Sequence, residues 1–471
     1  NETTEINFLI SKVDMDDPAD IWTIDGSLNT LSDRPGMDSQ ETDSYGIKIT
    51  KNFNNFDLQS FTSVTNTDVN FSYDADWGNS ESHFPYIYDY FSETLRKRDT
   101  FSQEIRFLSK NTDFSQKNPF EWVFGFDFSE LEETNVTRDD GIYGDPSDPY
   151  GPYESESVVS RNYEAENLSL FGNIDYFLSE NYKLAFGLRW ENWDSKYNDS
   201  NQESFNPSDN MNGGKISLIK NNDNSNIYFS IARGYKQGGF NLGLDGTDNS
   251  IKDSLIYDPE FLTNYEIGLS SNNNNSILNY SAVFFFSKRE DQQVLISRQV
   301  DPTDPNTFSY LTQNAAEGEN YGLEISSNYF VRDNLNLYAN FGLLKTKIKN
   351  WESRSDLENR AQAHAPERNF SLGANLLFKN NFYLKMDING KSSFFYSDSH
   401  NNKSKSYKLV NLSLGYTKSN FSTDIWVRNL FDEYYSTRGF FFGNEAPNFV
   451  DTLYRRQGDP KNIGISLRYD F

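Results

Sequence analysis

Apolar and polar side chains alternate with a period of two along much of this chain. Phe120, Trp122, Phe124, Phe126 and Phe128 are interleaved with Glu121, Val123, Gly125, Asp127 and Ser129. The same alternation runs through Tyr182–Trp190, Phe370–Phe378, Phe382–Ile388 and the terminal Ile463–Phe471. Successive side chains of a strand point to opposite faces, so each segment has one greasy face and one wet face. The stripes are close to the ~9–11 residues that a tilted strand needs to cross a bilayer. Their wet faces carry charged and amide groups that a dry sandwich core would not accept unpaired. The chain stops on an aromatic residue, Phe471, as a strand that closes an outer-membrane barrel does.

Connection lengths point the same way. Short links at 52–55, 179–181, 221–226, 272–275, 332–334, 379–381 and 418–420 alternate with long ones. The long ones run over 14–42, 73–100, 132–156, 194–211, 237–261, 292–310, 350–367 and 438–460. Tight turns on one side and long loops on the other are expected of a membrane barrel. The pattern predicts an all-β, transmembrane antiparallel β-barrel occupying residues 1–471, with about 18 strands. The first strand is expected over Ile6–Val13, and it starts on the short-turn side with the C-terminus.

Composition narrows the choice. The mean hydropathy of -0.75 would not suit a membrane protein built of helices. No run of ~18 apolar residues supplies a spanning helix, a test that a barrel escapes because only alternate residues meet lipid. There are 39 Phe, 29 Tyr and 7 Trp, types that suit strands and membrane interfaces. A net charge of -26 leaves no basic stripe for nucleic acid. Cysteine is absent, which removes disulfides, thiol chemistry and Cys-based metal sites. No signal peptide follows Asn1, so an exported chain is expected to have had its start processed or truncated.

No catalytic constellation stands out, and none is expected. His83, His364 and His400 fall in predicted loops, far apart, and read as solvent-exposed loop histidines rather than metal ligands. Asp245, Asp248 and Asp253 could hold calcium in a loop but match no EF-hand spacing. There is no nucleophile elbow and no phosphate-cradling glycine loop. The long loops are acidic and rich in Tyr. Tyr143, Tyr150 and Tyr153 lie among Asp139, Asp140, Asp145 and Asp148, and Asp14, Asp16, Asp17, Asp20, Asp25, Asp33 and Asp38 form a second group. Such loops read first as a solvated, repulsive surface, and second as a ligand-catching mouth.

Several segments in order resemble the TonB-dependent outer-membrane receptors. Arg233-Gly234-Tyr235-Lys236-Gln237-Gly238-Gly239-Phe240-Asn241 is similar to that family's RGYKxGGFN stretch. Tyr257-Asp258-Pro259-Glu260, Thr263–Leu269, Asn320–Glu324 and Val427-Arg428-Asn429-Leu430-Phe431-Asp432-Glu433-Tyr434-Tyr435 follow as in the family, and Thr100–Arg106 precedes them. The motifs also have local readings: Gly234, Gly238 and Gly239 allow a bend or close packing, and Tyr235 and Phe240 are expected near the outer interface. The resemblance implies a bacterial outer-membrane receptor, a monomer, that captures a scarce large ligand. Ferric siderophores are the commonest such ligands, with vitamin B12 and glycans as others. Uptake would be driven by the TonB complex, and outer-membrane lipid and lipopolysaccharide would surround the barrel. Family barrels have about 22 strands around a plug. Against that pattern, a plug, its coupling box and about four first strands are expected to be missing here. No cofactor or metal is implied. Lys236, Asn264, Glu266, Glu324, Lys385 and Arg468 are candidate lumen-lining residues, with Tyr143, Tyr150 and Tyr153 at the mouth. The alternatives are a passive 18-stranded porin, with its first strand paired to its last, and a secreted β-rich binding protein.

Overall fold

The computed structural model describes residues 3–110, 119–242, 255–271, 277–299, 305–351, 355 and 357–470. The strands are β1 (Thr4–Pro18), β2 (Met37–Asn52), β3 (Phe56–Asp74), β4 (Ile87–Ser109), β5 (Phe120–Gly144), β6 (Tyr153–Ser179), β7 (Tyr182–Asp199) and β8 (Ser204–Phe205). They continue as β9 (Ser208–Asn221), β10 (Ser225–Lys236), β11 (Gly239–Phe240), β12 (Ile256–Tyr257), β13 (Glu260–Ser271), β14 (Leu278–Gln299), β15 (Phe308–Arg332) and β16 (Leu335–Lys349). The last are β17 (Arg368–Leu377), β18 (Phe382–Lys391), β19 (Tyr407–Lys418), β20 (Phe421–Arg428), β21 (Ser436–Phe442), β22 (Thr452–Gln457) and β23 (Asn462–Tyr469).

One antiparallel sheet of 19 strands forms the wall; β8 contributes only two residues to it, so eighteen strands build its full height. Chain neighbours pair throughout, from β1 with β2 to β20 with β23. The hairpins β11–β12 and β21–β22 are separate two-stranded sheets in the long loops. Among the described residues β1 pairs only with β2, and β23 only with β20. The first and last strands are therefore not joined, as the porin alternative required, and the wall keeps an open seam. Phe8 is 76% exposed beside that seam, and most of β1 and β23 is exposed with it.

The alternating apolar face is exposed on the outside of the wall: Leu170, Leu188, Ile267 and Ile425 are each more than half exposed. It is not stacked in a dry interior. A solvent that accepts such a face is hydrocarbon, and outward exposure of alternate residues is what a lipid-facing barrel shows. Aromatic rings on the opposite face lie over cross-strand glycines, as Tyr338 does over Gly373 and Trp426 over Gly464.

The buried apolar clusters lie in and beside the long loops instead. One holds Trp77, Phe442 and Tyr454 with Trp22 and Phe308 against it; another holds Ala75, Tyr88, Tyr90 and Phe449. A third joins Val294, Ile348, Trp351 and Leu357.

Several predicted boundaries are corrected. The first strand runs to Pro18, and β5 and β6 are 25 and 27 residues long, far past the bilayer's need. Much of predicted loops 14–42, 73–100 and 132–156 is strand: Asp14, Asp16 and Asp17 stand on β1, Asp38 on β2, and Tyr143 on β5. The reason is solvation. Beyond the headgroups both faces of a strand meet water, so the backbone ladder continues while the alternation disappears. A further long connection, 392–406, joins β18 to β19. The turn at 272–275 and the acidic group Asp245, Asp248 and Asp253 lie outside the described residues.

Candidate ligand site on the lumenal wall

Opposite the lipid-facing positions, odd residues of β5, β6 and β7 and even residues of β4 look into the lumen. Just above the outermost lipid-facing rings they bring three guanidiniums together, from Arg96, Arg98 and Arg161. Arg98 donates to Glu133 Oε2 through Nε at 2.8 Å, and Arg96 Nε lies 3.2 Å from Glu133 Oε1. Arg161 donates to Thr137 Oγ1 at 2.6 Å. Glu133 is shared by Arg96 and Arg98, Asp38 lines the recess beside them, and Asp199 stands opposite Arg161 on β7, so each guanidinium has an acidic neighbour on this face. Glu133 is nearly buried, whereas the side chains of Arg96 and Arg98 are 37% and 43% exposed, so the guanidiniums keep open faces. A recess of about 430 Å³ opens here, lined by Asp38, Phe71, Thr94, Arg96 and Arg98 among others.

An aromatic wall adjoins the arginines. Phe240 sits 5.0 Å from the Tyr197 ring, 5.1 Å from Phe205 and 6.1 Å from Tyr163, centroid to centroid. The loop after β10 must turn inward to place it there. Gly238 donates its backbone N–H to Asp209 Oδ2 at 3.1 Å, and a Cβ on Gly238 would stand 2.5 Å from the Tyr257 carbonyl oxygen. Burial pushes the Asp209 carboxyl above its usual range, while the Gly238 N–H opposes that shift. Phe240 thus faces the lumen rather than the outer interface where the sequence placed it. Tyr235 also differs: its hydroxyl donates to Glu191 and accepts from Arg189 Nε.

The residues singled out in the sequence are distributed more widely. Asn264 and Glu266 meet on the inner face of β13, where Asn264 Nδ2 donates to Glu266 Oε2 at 3.2 Å and the Tyr228 hydroxyl donates to Glu266. Glu324 stands two strands away on the same face. Lys236 is exposed at the end of β10, opposite Glu260. Lys385 and Arg468 lie on other strands, the first over the Tyr383 ring and the second paired with Asp470 at 2.9 Å. Tyr143 packs into the loop core against Tyr88 and Phe449; Tyr150 is 85% exposed, and Tyr153 donates to Asp148. The arginine group was missed because its members are split over β4 and β6 and balanced locally by acidic neighbours in the sequence. The register of β4, β5 and β6 is the signal that collects them.

One histidine reading is corrected. His83 is buried, with Nε2 3.1 Å from Asp76 Oδ1 and its ring edge-on to Tyr88. It belongs to a polar knot under the loops, in which Asp74 accepts from Ser32 at 2.7 Å and Asn444 donates to the Asp76 carbonyl at 2.5 Å.

Residues 5–430 match the family described as TonB dependent receptor-like, beta-barrel. The chain belongs to the TonB-dependent receptor β-barrel family. Among solved structures it is similar to the ferric yersiniabactin uptake receptor FyuA from Yersinia pestis, with TM-score 0.74 and 17% identity, over 100% of this chain and 68% of that one. It is likewise similar to the siderophore receptor PiuA from Acinetobacter baumannii, with TM-score 0.74 and 16% identity, over 99% and 72% of the two chains. The copper transporter OprC matches with TM-score 0.71 and 15% identity, over 100% and 70%. These identities establish a shared fold.

Within this receptor barrel the motif at Asn429–Asp432 has a definite structural role. Asn429 is buried; its side chain accepts from Glu433 N at 2.8 Å and donates to the Glu433 and Asp459 carbonyls. Asp432 accepts from Lys461 N at 2.7 Å. Together they fasten the two feet of the last long loop of the receptor barrel where β20 ends and β23 begins.

Proposed function

We propose that this receptor barrel binds a large anionic ligand, a ferric siderophore, at its outer mouth in the bacterial outer membrane, for uptake energised through TonB. The observation that carries this reading is the convergence of Arg96, Arg98 and Arg161 with Tyr163, Tyr197, Phe205 and Phe240 on one lumenal face. Guanidiniums recognise carboxylate and other oxygen anions through paired N–H donors. Flat rings beside them add apolar contact with little loss of conformational entropy. Asn264, Glu266 and Glu324 lie deeper on the lumenal face and are proposed to line the path, with Lys236, Tyr150 and Tyr153 at its rim. The receptor acts by binding and passage, with no bond chemistry of its own.

The test is binding of a panel of ferric siderophores to the detergent-purified chain, followed by quenching of its intrinsic tryptophan fluorescence. Arg98→Gln and Arg161→Gln are each expected to weaken the preferred ligand about 10–100-fold, the value of a charge-assisted hydrogen bond of ~1.5–3 kcal/mol. Unchanged affinity in folded double variants would remove this site from ligand recognition.

A further inference from the structure

β6 stands taller than β7. The two strands pair from Ser179 and Tyr182 up to Arg161 and Asp199, and one further bond runs from Ser200 N to Ser160 O at 2.9 Å. There β7 ends, and the chain turns at 200–201. β6 extends beyond that point as Glu154–Val159, far above Leu168 at the top of its lipid-facing stripe. One side of this stretch is laddered to β5, in a register that runs unbroken from Tyr153 opposite Tyr143 to Tyr176 opposite Phe120. Among the described residues no strand pairs with its other side.

The open side is defined residue by residue. A residue's N–H and C=O point to the same side of a strand, and the side alternates along the chain. Ser160 accepts from Ser200 N and donates its N–H to Ser200 Oγ at 3.2 Å, so its backbone faces the β7 side. Val158, Glu156 and Glu154 share that direction, and each presents an N–H and a C=O along the open edge. Their side chains stand on the outward face, that of Leu168 and Leu170. Val158 is 50% exposed, and Glu154 and Glu156 are exposed, with neither carboxylate engaged among the described residues. Strand edges are ordinarily blunted by proline, lysine or a bulge. Glu154–Val159 has no proline, no lysine and no register shift, and its only charges are the two glutamates.

We propose that Glu154–Val159 is a docking edge for an extended cationic segment of another protein, which joins the wall as a strand above the end of β7. Backbone bonds to such an edge supply the hold, and alternate side chains supply the selectivity. An antiparallel partner continues the direction of β7. It presents an apolar residue opposite Val158 and basic residues opposite Glu156 and Glu154, because opposite charges on facing residues stabilise a strand pair. A second copy of this chain fits worse, since edge-to-edge pairing sets glutamate against glutamate. The edge lies apart from the lumenal arginines and stands whether or not the lumen takes a siderophore.

The experiment uses the purified chain in detergent and two short labelled peptides, one alternating Thr with Lys and one alternating Thr with Glu. Binding is read by fluorescence anisotropy, and hydrogen exchange is resolved by residue over 153–160. The Lys peptide is expected to bind and to slow exchange at Glu154, Glu156 and Val158, while Ser155 and Ser157, already laddered to β5, change little. The Glu peptide is expected not to bind. Val158→Pro removes an N–H on the open side and leaves the β5 ladder intact, so it should weaken the Lys peptide about fivefold. Glu154→Lys combined with Glu156→Lys should reverse the preference between the peptides. Folding of each variant is checked by heat-modifiable gel mobility. Equal binding of the two peptides, no alternating protection, or a folded Val158→Pro variant that matches the parent would overturn the proposal. Dimers that form without peptide and disappear in Val158→Pro would overturn it in favour of a second copy.

Discussion

Gly238 and Gly234 lie four positions apart and respond to opposite constraints. A methyl group on Gly238 would meet the Tyr257 carbonyl oxygen at 2.5 Å and Asp209 Oδ2 at 2.8 Å, whereas one on Gly234 would meet nothing within 4 Å. Gly238→Ala should therefore cost the hairpin ~1–3 kcal/mol, as overpacking does. Gly234→Ala should stay within ~0.5 kcal/mol. Limited proteolysis across 237–259 reads the difference, with faster cleavage expected only in the first variant. Asp74 offers a second test at this scale. It lies beyond the membrane, at the loop end of β3, and burial first, then the charge of Asp76, hold its carboxyl well above the usual range. A raised folded-state value means that the folded loops bind more protons than the unfolded chain between pH ~4 and neutrality. This group's contribution to stability is present at low pH and is lost as pH rises through that window. Asp74→Asn should flatten the dependence, and hydrogen exchange of residues 75–86 measured from pH 5 to 8 would show it.

At the scale of elements, the hairpin of β21 and β22 ties the mouth together. Phe440 and Phe442 reach Trp22, Trp77 and Phe308, which come from three other long loops or strand ends. Tyr396 bonds Ser436, and His400 packs on Phe441. The wall beneath is held by its own ladder, so this cap is a separable unit. Phe442→Ala should loosen it by ~3–5 kcal/mol. Proteolysis within 436–457 should accelerate while the gel mobility of the folded wall stays unchanged; simultaneous loss of both would show that cap and wall form one cooperative unit.

For the whole molecule, the decisive property is which solvent each face meets. Ile267 is 51% exposed on the outer face and Asn264 looks inward on the same strand, β13. Ile267→Arg should destabilise the lipid-embedded protein by ~2–4 kcal/mol, and Asn264→Arg by far less. Urea unfolding in lipid vesicles compares them; equal effects would mean that the two faces share one environment. The open seam belongs to this scale as well. Among the described residues β1 has a ladder partner on one edge only, β2, and β23 on one edge only, β20, and strand edges of that kind template further strands.

The alternation in Phe120–Phe128 and Tyr182–Trp190 by itself determined strands, their lipid-facing side and the wall's rough size, because period two is a local consequence of backbone geometry. Motifs such as Arg233–Asn241 and Asn429–Asp432 were equally legible, since each is contiguous. The candidate site was not. Arg96, Arg98 and Arg161 become neighbours only through the register of β4, β5 and β6, and Phe240 meets Tyr163 and Tyr197 only because its loop folds inward. The strand extensions above the membrane and the burial of His83 were also decided by tertiary structure. In water a strand carries no apolar stripe to announce it, and a loop's core is assembled from residues hundreds of positions apart, as Asn444 and Asp76 are. Side-chain alternation is written in neighbours along the chain, whereas charge convergence and loop packing are written in neighbours across it.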